Sequence, residues 1–280
     1  MQAFAPSEGY FVAFSGGKDS QCVYHLCEMA GVPFEAHYHV TGVDPPELIC
    51  FMRSQYPDVH FDIPHDKQGR RISMWSLIEQ KSMPPTRLAR YCCQYLKESG
   101  GNGSVTVTGV RWAESPRRKK QHSIASISGK PKSTATLADD LGADYRVNAH
   151  GTLILNDDND PSRRMVEQCY RTQKTMVNPI VDWTDAEVWH FLDHIANVPH
   201  CCLYDQGFSR LGCIGCPMSS KQAEELERWP KYRTLYLRAF DRMLKRRIMA
   251  GKDNLHPRDW STPEKVMAWW LGETTSQETT

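Results

Sequence analysis

Two groups of residues in this 280-residue chain have the types and spacing that chemistry needs. The first is Ser15-Gly16-Gly17-Lys18-Asp19-Ser20, set between the strand-like run Tyr10–Phe14 and a helix-like pattern. Glycines let a backbone approach a ligand with no Cβ in the way. The helix that follows offers unpaired N–H groups and the positive end of its dipole. Lys18 adds a point charge and Ser15 and Ser20 add hydroxyl donors, which suits a phosphate; the alternative, which two glycines alone would favour, is an ordinary glycine-rich βα turn. The segment is too short for G-x-x-x-x-G-K-[ST] and does not fit G-x-G-x-x-G. The second group is cysteine: adjacent Cys92 and Cys93 in RYCCQYLKE, and Cys213-x-x-Cys216 in GCIGCP. A C-x-x-C turn presents two thiolates to one metal, and two cysteines from elsewhere complete a four-sulfur site; tetrahedral zinc and an iron–sulfur cluster share that donor set. Cys201-Cys202, shortly before the C-x-x-C, offers either a replacement ligand at Cys202 or a free reactive thiol beside the metal. Cys22, Cys27, Cys50 and Cys169 read as core or incidental residues, and the eleven histidines form no metal-spaced cluster.

Elements that hold such groups are legible in the same stretch. Tyr10–Phe14 reads as a buried strand, after which Val23, Leu26, Cys27 and Ala30 recur at helical spacing. Ala36, Tyr38 and Val40 alternate as a second strand, Glu47–Tyr56 forms a second helix, and Val59–Ile63 and Val105–Thr108 read as further strands. Strand–helix–strand alternation argues for a parallel sheet covered by helices, with the glycine turn at the carboxyl end of the strands, where open α/β sheets bind ligands. Residues 113–175 read as a polar excursion near the site, with a strand at Gly151–Leu155, and Asn178–Trp183 reads as a last strand. Thr184-Asp-Ala-Glu187 is a capping box opening a helix with Val188, Leu192 and Ile195 on one face. A long apolar stripe from Tyr232 to Leu244 reads as a helix packed on the domain. The expected division is an α/β domain over residues 1–185 and a helical region over 186–280 that carries the C-x-x-C.

Composition narrows the class. Apolar residues make up 40% and charged residues 24%, and the formal charge of +1 gives no global attraction to nucleic acid. The basic runs Arg117–Lys120 and Arg242–Arg247 read as solvated faces. No apolar run approaches the ~20 residues of a membrane helix, and the N-terminus has no basic-then-apolar signal, so a cytoplasmic location is expected. Ten cysteines in a reducing compartment suggest a metal or redox site rather than a disulfide framework.

SGGKDS resembles the pyrophosphate loop, SGGxDS, of the ATP pyrophosphatase (PP-loop) and PAPS reductase superfamily. The adjacent cysteine pair with a late C-x-x-C resembles the iron–sulfur signature of the sulfonucleotide reductases. LYDQGFSRLGCIGCP, NPIVDWTDAEVW and GVRWAESPRR resemble further segments of that family, from about residue 9 to 220. The resemblance implies a Rossmann-like α/β fold of the adenine nucleotide alpha hydrolase type, with a C-terminal helical extension. It further implies phosphate binding by Ser15, Gly16, Gly17, Lys18, Asp19 and Ser20, roles for Lys18, Asp19 and Arg111 in catalysis or substrate binding, and a [4Fe–4S] cluster on Cys92, Cys93, Cys213 and Cys216. ATP or an adenylyl-sulfate would be the nucleotide, with Mg2+, and Asp19 would either hold the loop or reach the metal.

The resemblance is imperfect. The reductases carry a nucleophilic cysteine in a C-terminal tail, and here no cysteine follows Cys216. The expectation is therefore negligible thioredoxin-dependent sulfite release. ATP-dependent adenylylation with loss of pyrophosphate is expected instead, as in DNA phosphorothioation and tRNA thiolation relatives, with a sulfur donor protein and a nucleic-acid acceptor as partners. The alternatives are a PAPS or adenylyl-sulfate reductase, and a non-catalytic nucleotide- and cluster-binding component of a larger complex.

Overall fold

The structure, a computed structural model, describes residues 1–2, 5–98, 100–101, 103–114, 125–126, 145–147, 153–155, 168–169, 174–252 and 259–273. The strands are β1 (Tyr10–Ala13), β2 (Phe34–His39), β3 (His60–Asp62), β4 (Val105–Val107), β5 (Ala125–Ser126), β6 (Tyr145–Val147), β7 (Leu153–Leu155), β8 (Gln168–Cys169) and β9 (Lys174–Val177). The helices are α1 (Lys18–Ala30), α2 (Pro46–Gln55), α3 (Met74–Lys81), α4 (Tyr91–Leu96), α5 (Asp185–His190), α6 (Gln222–Arg228), α7 (Pro230–Met249) and α8 (Pro263–Leu271). Two compact units are built from interleaved segments, where the sequence pointed to a single break near residue 185. One comprises residues 1–39, 47–62 and 99–211, the other 40–46, 63–98 and 212–280.

The first unit is an α/β sheet. Five strands run parallel in the order β3-β2-β1-β4-β9, and β5 and β8 pair antiparallel with β9. Val12 at the centre of β1 lies opposite Ala36 and Val107. All three are buried, as the middle of a parallel sheet requires. Helix α1 lays Cys22, Val23 and Cys27 inward, each fully buried, and ends at Gly31, whose φ of 62° closes the helix in the left-handed region. Cys22 and Cys27 are core residues, as the sequence suggested, and burial raises both thiols to about 12. Cys50 is exposed, and the side chain of Cys169 lies outside the described residues.

Two expectations are corrected in this unit. Residues 178–183 do not form the last strand; that strand is β9, one step earlier in the chain. Pro179 has no N–H for a ladder. The chain turns instead, with Val181 N–H donating to Asn178 O and Trp183 N–H to Ile180 O. The capping box at Thr184 and Glu187 forms as expected. After it the helix widens into a π-helical turn over Phe191–Ala196. The wider turn rotates later residues off the 3.6-residue stripe, so Val188 and Leu192 are buried but Ile195 is 53% exposed. Arg117–Lys120 and most of the polar excursion lie outside the described residues.

The second unit is helical. Helix α7 starts with Pro230 at its first turn and buries Tyr236, Ala239, Phe240, Met243 and Leu244, which realises the apolar stripe. These side chains pack on α3, where Trp75 meets Tyr236 at a ring distance of 5.0 Å, and on α8, where Trp270 meets Tyr236 and Phe240 at 4.7 and 5.5 Å. Each large buried side chain stabilises by roughly 1.5–3 kcal/mol. Trp270 Nε1–H donates to Pro85 O at 2.6 Å, so its one polar atom is paired. Among the described residues no helix is long and apolar enough to cross a membrane.

Candidate nucleotide site and thiol cluster

The glycine turn joins β1 to α1 in the first unit, at the carboxyl end of the parallel strands. Its two glycines serve different ends. Gly16 has φ +71°, and a Cβ there would meet Met52 Cγ at 2.5 Å and Leu48 Cδ1 at 2.9 Å, so this glycine admits packing against α2. Gly17 is the extended N-cap of α1, and a Cβ there would stand 3.4 Å from the Tyr204 hydroxyl. A glycine N-cap has no side chain to satisfy the first amides of the helix. Lys18 N–H donates to Tyr204 Oη at 2.8 Å. Ser20 Oγ donates to Gly17 O at 2.9 Å and accepts from Ser15 N–H at 3.2 Å, pinning the turn across its width. Ser20 therefore shapes the loop, and burial of the Tyr204 phenol drives its pKa above the usual range.

Behind the loop, four charges close into a ring. Lys18 Nζ lies 3.3 Å from Asp19 Oδ2 and 3.2 Å from Asp185 Oδ1. Arg111 Nε donates to Asp19 Oδ1 at 2.6 Å, and its NH2 donates to Asp185 Oδ1 at 2.8 Å. A third bond, from NH1 to Trp183 O at 3.1 Å, completes the grip on the guanidinium. The Lys18 and Arg111 side chains are 7% and 2% exposed, so both cations need these partners. Burial works against the charged Arg111, but Asp19 and Asp185 reverse that and raise its pKa. Burial likewise opposes ionised Asp185, yet bonds from Arg111 and Lys18 hold its carboxyl below the usual range. Two cations and two anions leave the ring neutral. Arg111 is thus turned inward, fixing Asp19 and Asp185, and both carboxylate oxygens of Asp19 already face cations.

Local structure aims each member. Trp112 N–H donates to Val181 O at 2.7 Å, Thr108 N–H donates to Val177 O, and the Thr108 hydroxyl pairs with Asn178, so the chain leaving β4 is tied on both sides of Arg111. Gly109 lets this segment approach α1, since a Cβ there would sit 2.8 Å from Asp19 C and O. Asp185 is the first residue of α5, fixed by the capping box of Thr184 and Glu187.

The thiols of the metal expectation lie together in the second unit. Cys92 and Cys93 occupy the first turn of α4, and Cys213 and Cys216 flank a turn in which Cys216 N–H donates to Cys213 O. A bond from Cys92 lowers the Cys93 thiol, helped by Arg90, whose NH2 lies 3.6 Å from its sulfur. Cys92 is correspondingly raised, and it senses Cys213 as well as Cys93. Burial raises Cys213 to about 12, opposed by Lys97 and reinforced by Asp44 and Cys216. Ile214 N–H donates to Val43 O at 2.7 Å, and Tyr236 Oη donates to Ile214 O at 3.1 Å, which anchors the turn. Among the described residues, no three His, Cys, Asp or Glu side chains are gathered closely enough to hold a metal ion. The residue types are those of an iron–sulfur cluster, four cysteines carried by one unit. Cys201 is buried and Cys202 exposed, both in the first unit, so neither belongs to the unit that carries the four thiols.

Comparison with known sequences bears on this arrangement. The phosphoadenosine phosphosulfate reductase domain matches residues 9–219, about three quarters of the chain. The chain belongs to that family. Local similarity reaches adenosine 5'-phosphosulfate reductase of Allochromatium vinosum, 36% identical over 55 residues, covering 19% of this chain and 21% of the relative. It also reaches the enzyme of that name from Neisseria meningitidis, 41% identical over 54 residues and 22% of its length. A probable FAD synthase of Caenorhabditis elegans is 50% identical over 40 residues, 14% of this chain and 8% of the relative. The matched stretch thus spans about a fifth or less of these three relatives.

For this PAPS reductase family member, the sequence reading of the site omitted three residues. Asp185 was noted only as part of a capping box, although an acid at a helix start facing a buried arginine is a ring partner. Tyr204 lies in LYDQG, with no spacing that ties it to residue 18. Gly109 follows β4 directly, and a glycine at a strand end is the one local sign of a close backbone approach.

Proposed function

We propose that the chain binds the phosphates of ATP at the start of α1 and transfers the adenylyl group to an acceptor oxygen, releasing pyrophosphate, within a sulfur-handling reaction. The observation that carries this reading is the glycine-capped start of α1, met by the Tyr204 hydroxyl, with Lys18 held beside it by two carboxylates. The acceptor oxygen bonds the α-phosphorus and the α–β bridge breaks, so charge grows on the departing pyrophosphate. Amides at the start of α1 and the Lys18 ammonium are placed to stabilise it. Asp19 and Arg111 position Lys18 rather than touch the reacting atoms. Magnesium would arrive with the nucleotide, and Asp19 would have to exchange a cation to bind it.

Cys92, Cys93, Cys213 and Cys216 would hold a [4Fe–4S] cluster, which supplies electron transfer or a site for sulfur when bound. The Arg90 contact that lowers Cys93 favours ligation, because the thiolate is the ligand form. The test is pyrophosphate release from ATP by anaerobically prepared protein, with candidate oxygen acceptors and a sulfur donor protein supplied.

A second reading is favoured by the names of the relatives: reductive cleavage of an adenylyl-sulfate. It requires a thiol that attacks sulfur and is later released by a reductant. Exposed Cys202 shares its unit with the loop, but its neighbour Cys201 is buried and its thiol raised by that burial. Thioredoxin-dependent sulfite release that disappears in Cys202→Ser would make this the function.

A further inference from the structure

Among the described helices, α7 carries the largest excess of positive charge. Over Pro230–Met249 it carries seven basic side chains and one acid, in a chain whose whole formal charge is +1. As a sequence run these residues read as an ordinary solvated face; the folded helix sorts them. Tyr236, Ala239, Phe240, Met243 and Leu244 turn inward, and Lys231, Arg238, Arg242, Lys245 and Arg246 are all exposed. Steps of seven, four and three residues from Lys231 to Arg238, Arg242 and Lys245 place those four on one line, with Arg246 beside it. At ~1.5 Å per residue the line is about 21 Å long.

The counter-charges on this face are few and half-buried. Arg242 and Arg246 reach Glu79 at 3.5 and 3.8 Å, and Lys245 reaches Asp241 at 2.8 Å. Such pairs contribute about 0–1 kcal/mol and exchange readily for a better anion. Lys231 and Arg238 form no ion pair among the described residues, although Glu227 stands four residues before the one and Asp241 three after the other.

We propose that this face of α7 is a docking surface for the phosphate backbone of duplex nucleic acid. A straight, core-anchored row of cations suits a regular row of phosphates, and arginine, three of the five, binds phosphate oxygens in a two-pronged fork. Single strands are bound on aromatic side chains that stack bases; of the α7 rings, Tyr236 and Phe240 are buried and half-buried Tyr232 is tethered by its hydroxyl to Asp44 O. A membrane surface would engage an apolar helix face, and that face of α7 is packed on α3 and α8 except at its last turn, where Ile248 and Met249 are exposed. The surface is independent of the nucleotide reading: it stands if ATP fails to bind, and its loss leaves ATP binding untouched.

The experiment is fluorescence anisotropy of a labelled DNA duplex about 20 base pairs long with the full chain, between about 50 and 200 mM salt. Affinity should fall with salt at a log–log slope of about −3 to −4. Lys231→Gln with Arg238→Gln, both exposed, should flatten the slope by about two and weaken binding about tenfold. Lys231→Gln alone, a milder change, should flatten it by about one. Pyrophosphate release without nucleic acid should be unchanged in both variants. No binding at about 50 mM salt, or an unaltered slope in the folded variants, overturns the proposal. So does tighter binding to single strands, to anionic vesicles or to polyglutamate than to duplex.

Discussion

At the scale of the residue, Gly16 and Gly17 look alike in sequence and have different tasks. Gly16→Ala puts a Cβ into Met52 and Leu48 at a φ of +71°, and should cost roughly 1–3 kcal/mol of stability, read as a lower midpoint in urea. Gly17→Ala meets only the Tyr204 and Ser15 hydroxyls, at 3.4 and 3.6 Å, so it should leave the midpoint near wild type while weakening nucleotide binding. Equal midpoints for both variants would contradict this division. Arg111→Ala leaves Asp19 and Asp185 facing one cation; with Asp185 69% exposed, the cost should be that of lost charge-assisted hydrogen bonds, roughly 1.5–3 kcal/mol. The ring also sets a pH dependence. The carboxyl of Asp185 is depressed in the folded state, so its contribution is complete above the unfolded value of 3.8 and is lost as pH falls through the depressed one. The melting difference between wild type and Asp185→Asn should therefore stay constant from neutral pH to about pH 5 and close below 3.8. A difference that closes instead above neutrality would exclude this role.

At the scale of the element, the turn between Cys213 and Cys216 is held by its backbone whether or not a cluster is present, through Ile214 to Val43 and Tyr236. Cys213→Ser should therefore lose bound iron and sulfide in anaerobic preparations while keeping most of the helical signal in circular dichroism. A colourless wild-type protein with one zinc per chain would replace the cluster with zinc. The elements that were legible in the sequence are those with a clean period: β1, α1, β2, α2 and the apolar stripe of α7. The capping box at Thr184 was legible because its chemistry is local. The strand expected at Asn178–Trp183 failed at Pro179, and Ile195 left its stripe because a π-helical turn changes the period, which nothing in the residue types announces.

At the scale of the molecule, the parts of the site differ in how far apart their residues lie in the chain. SGGKDS is contiguous and could be read as a phosphate turn at once. The ring draws on residues 18, 19, 111 and 185, and only the fold shows that Arg111 faces inward to Asp19 and Asp185. The division into units is hidden for the same reason, since each is assembled from separated segments. The central claim is that ATP is cleaved between its α- and β-phosphates on the turn before α1. Its most direct test follows ATP labelled separately in the α- and γ-phosphates, with anaerobic protein, a panel of oxygen acceptors and a sulfur donor. The account predicts labelled pyrophosphate from the γ position and transfer of the α label to the acceptor or to AMP, with both lost in Lys18→Ala. Orthophosphate as the γ product, or sulfite from adenylyl-sulfate with no turnover of ATP, would contradict it.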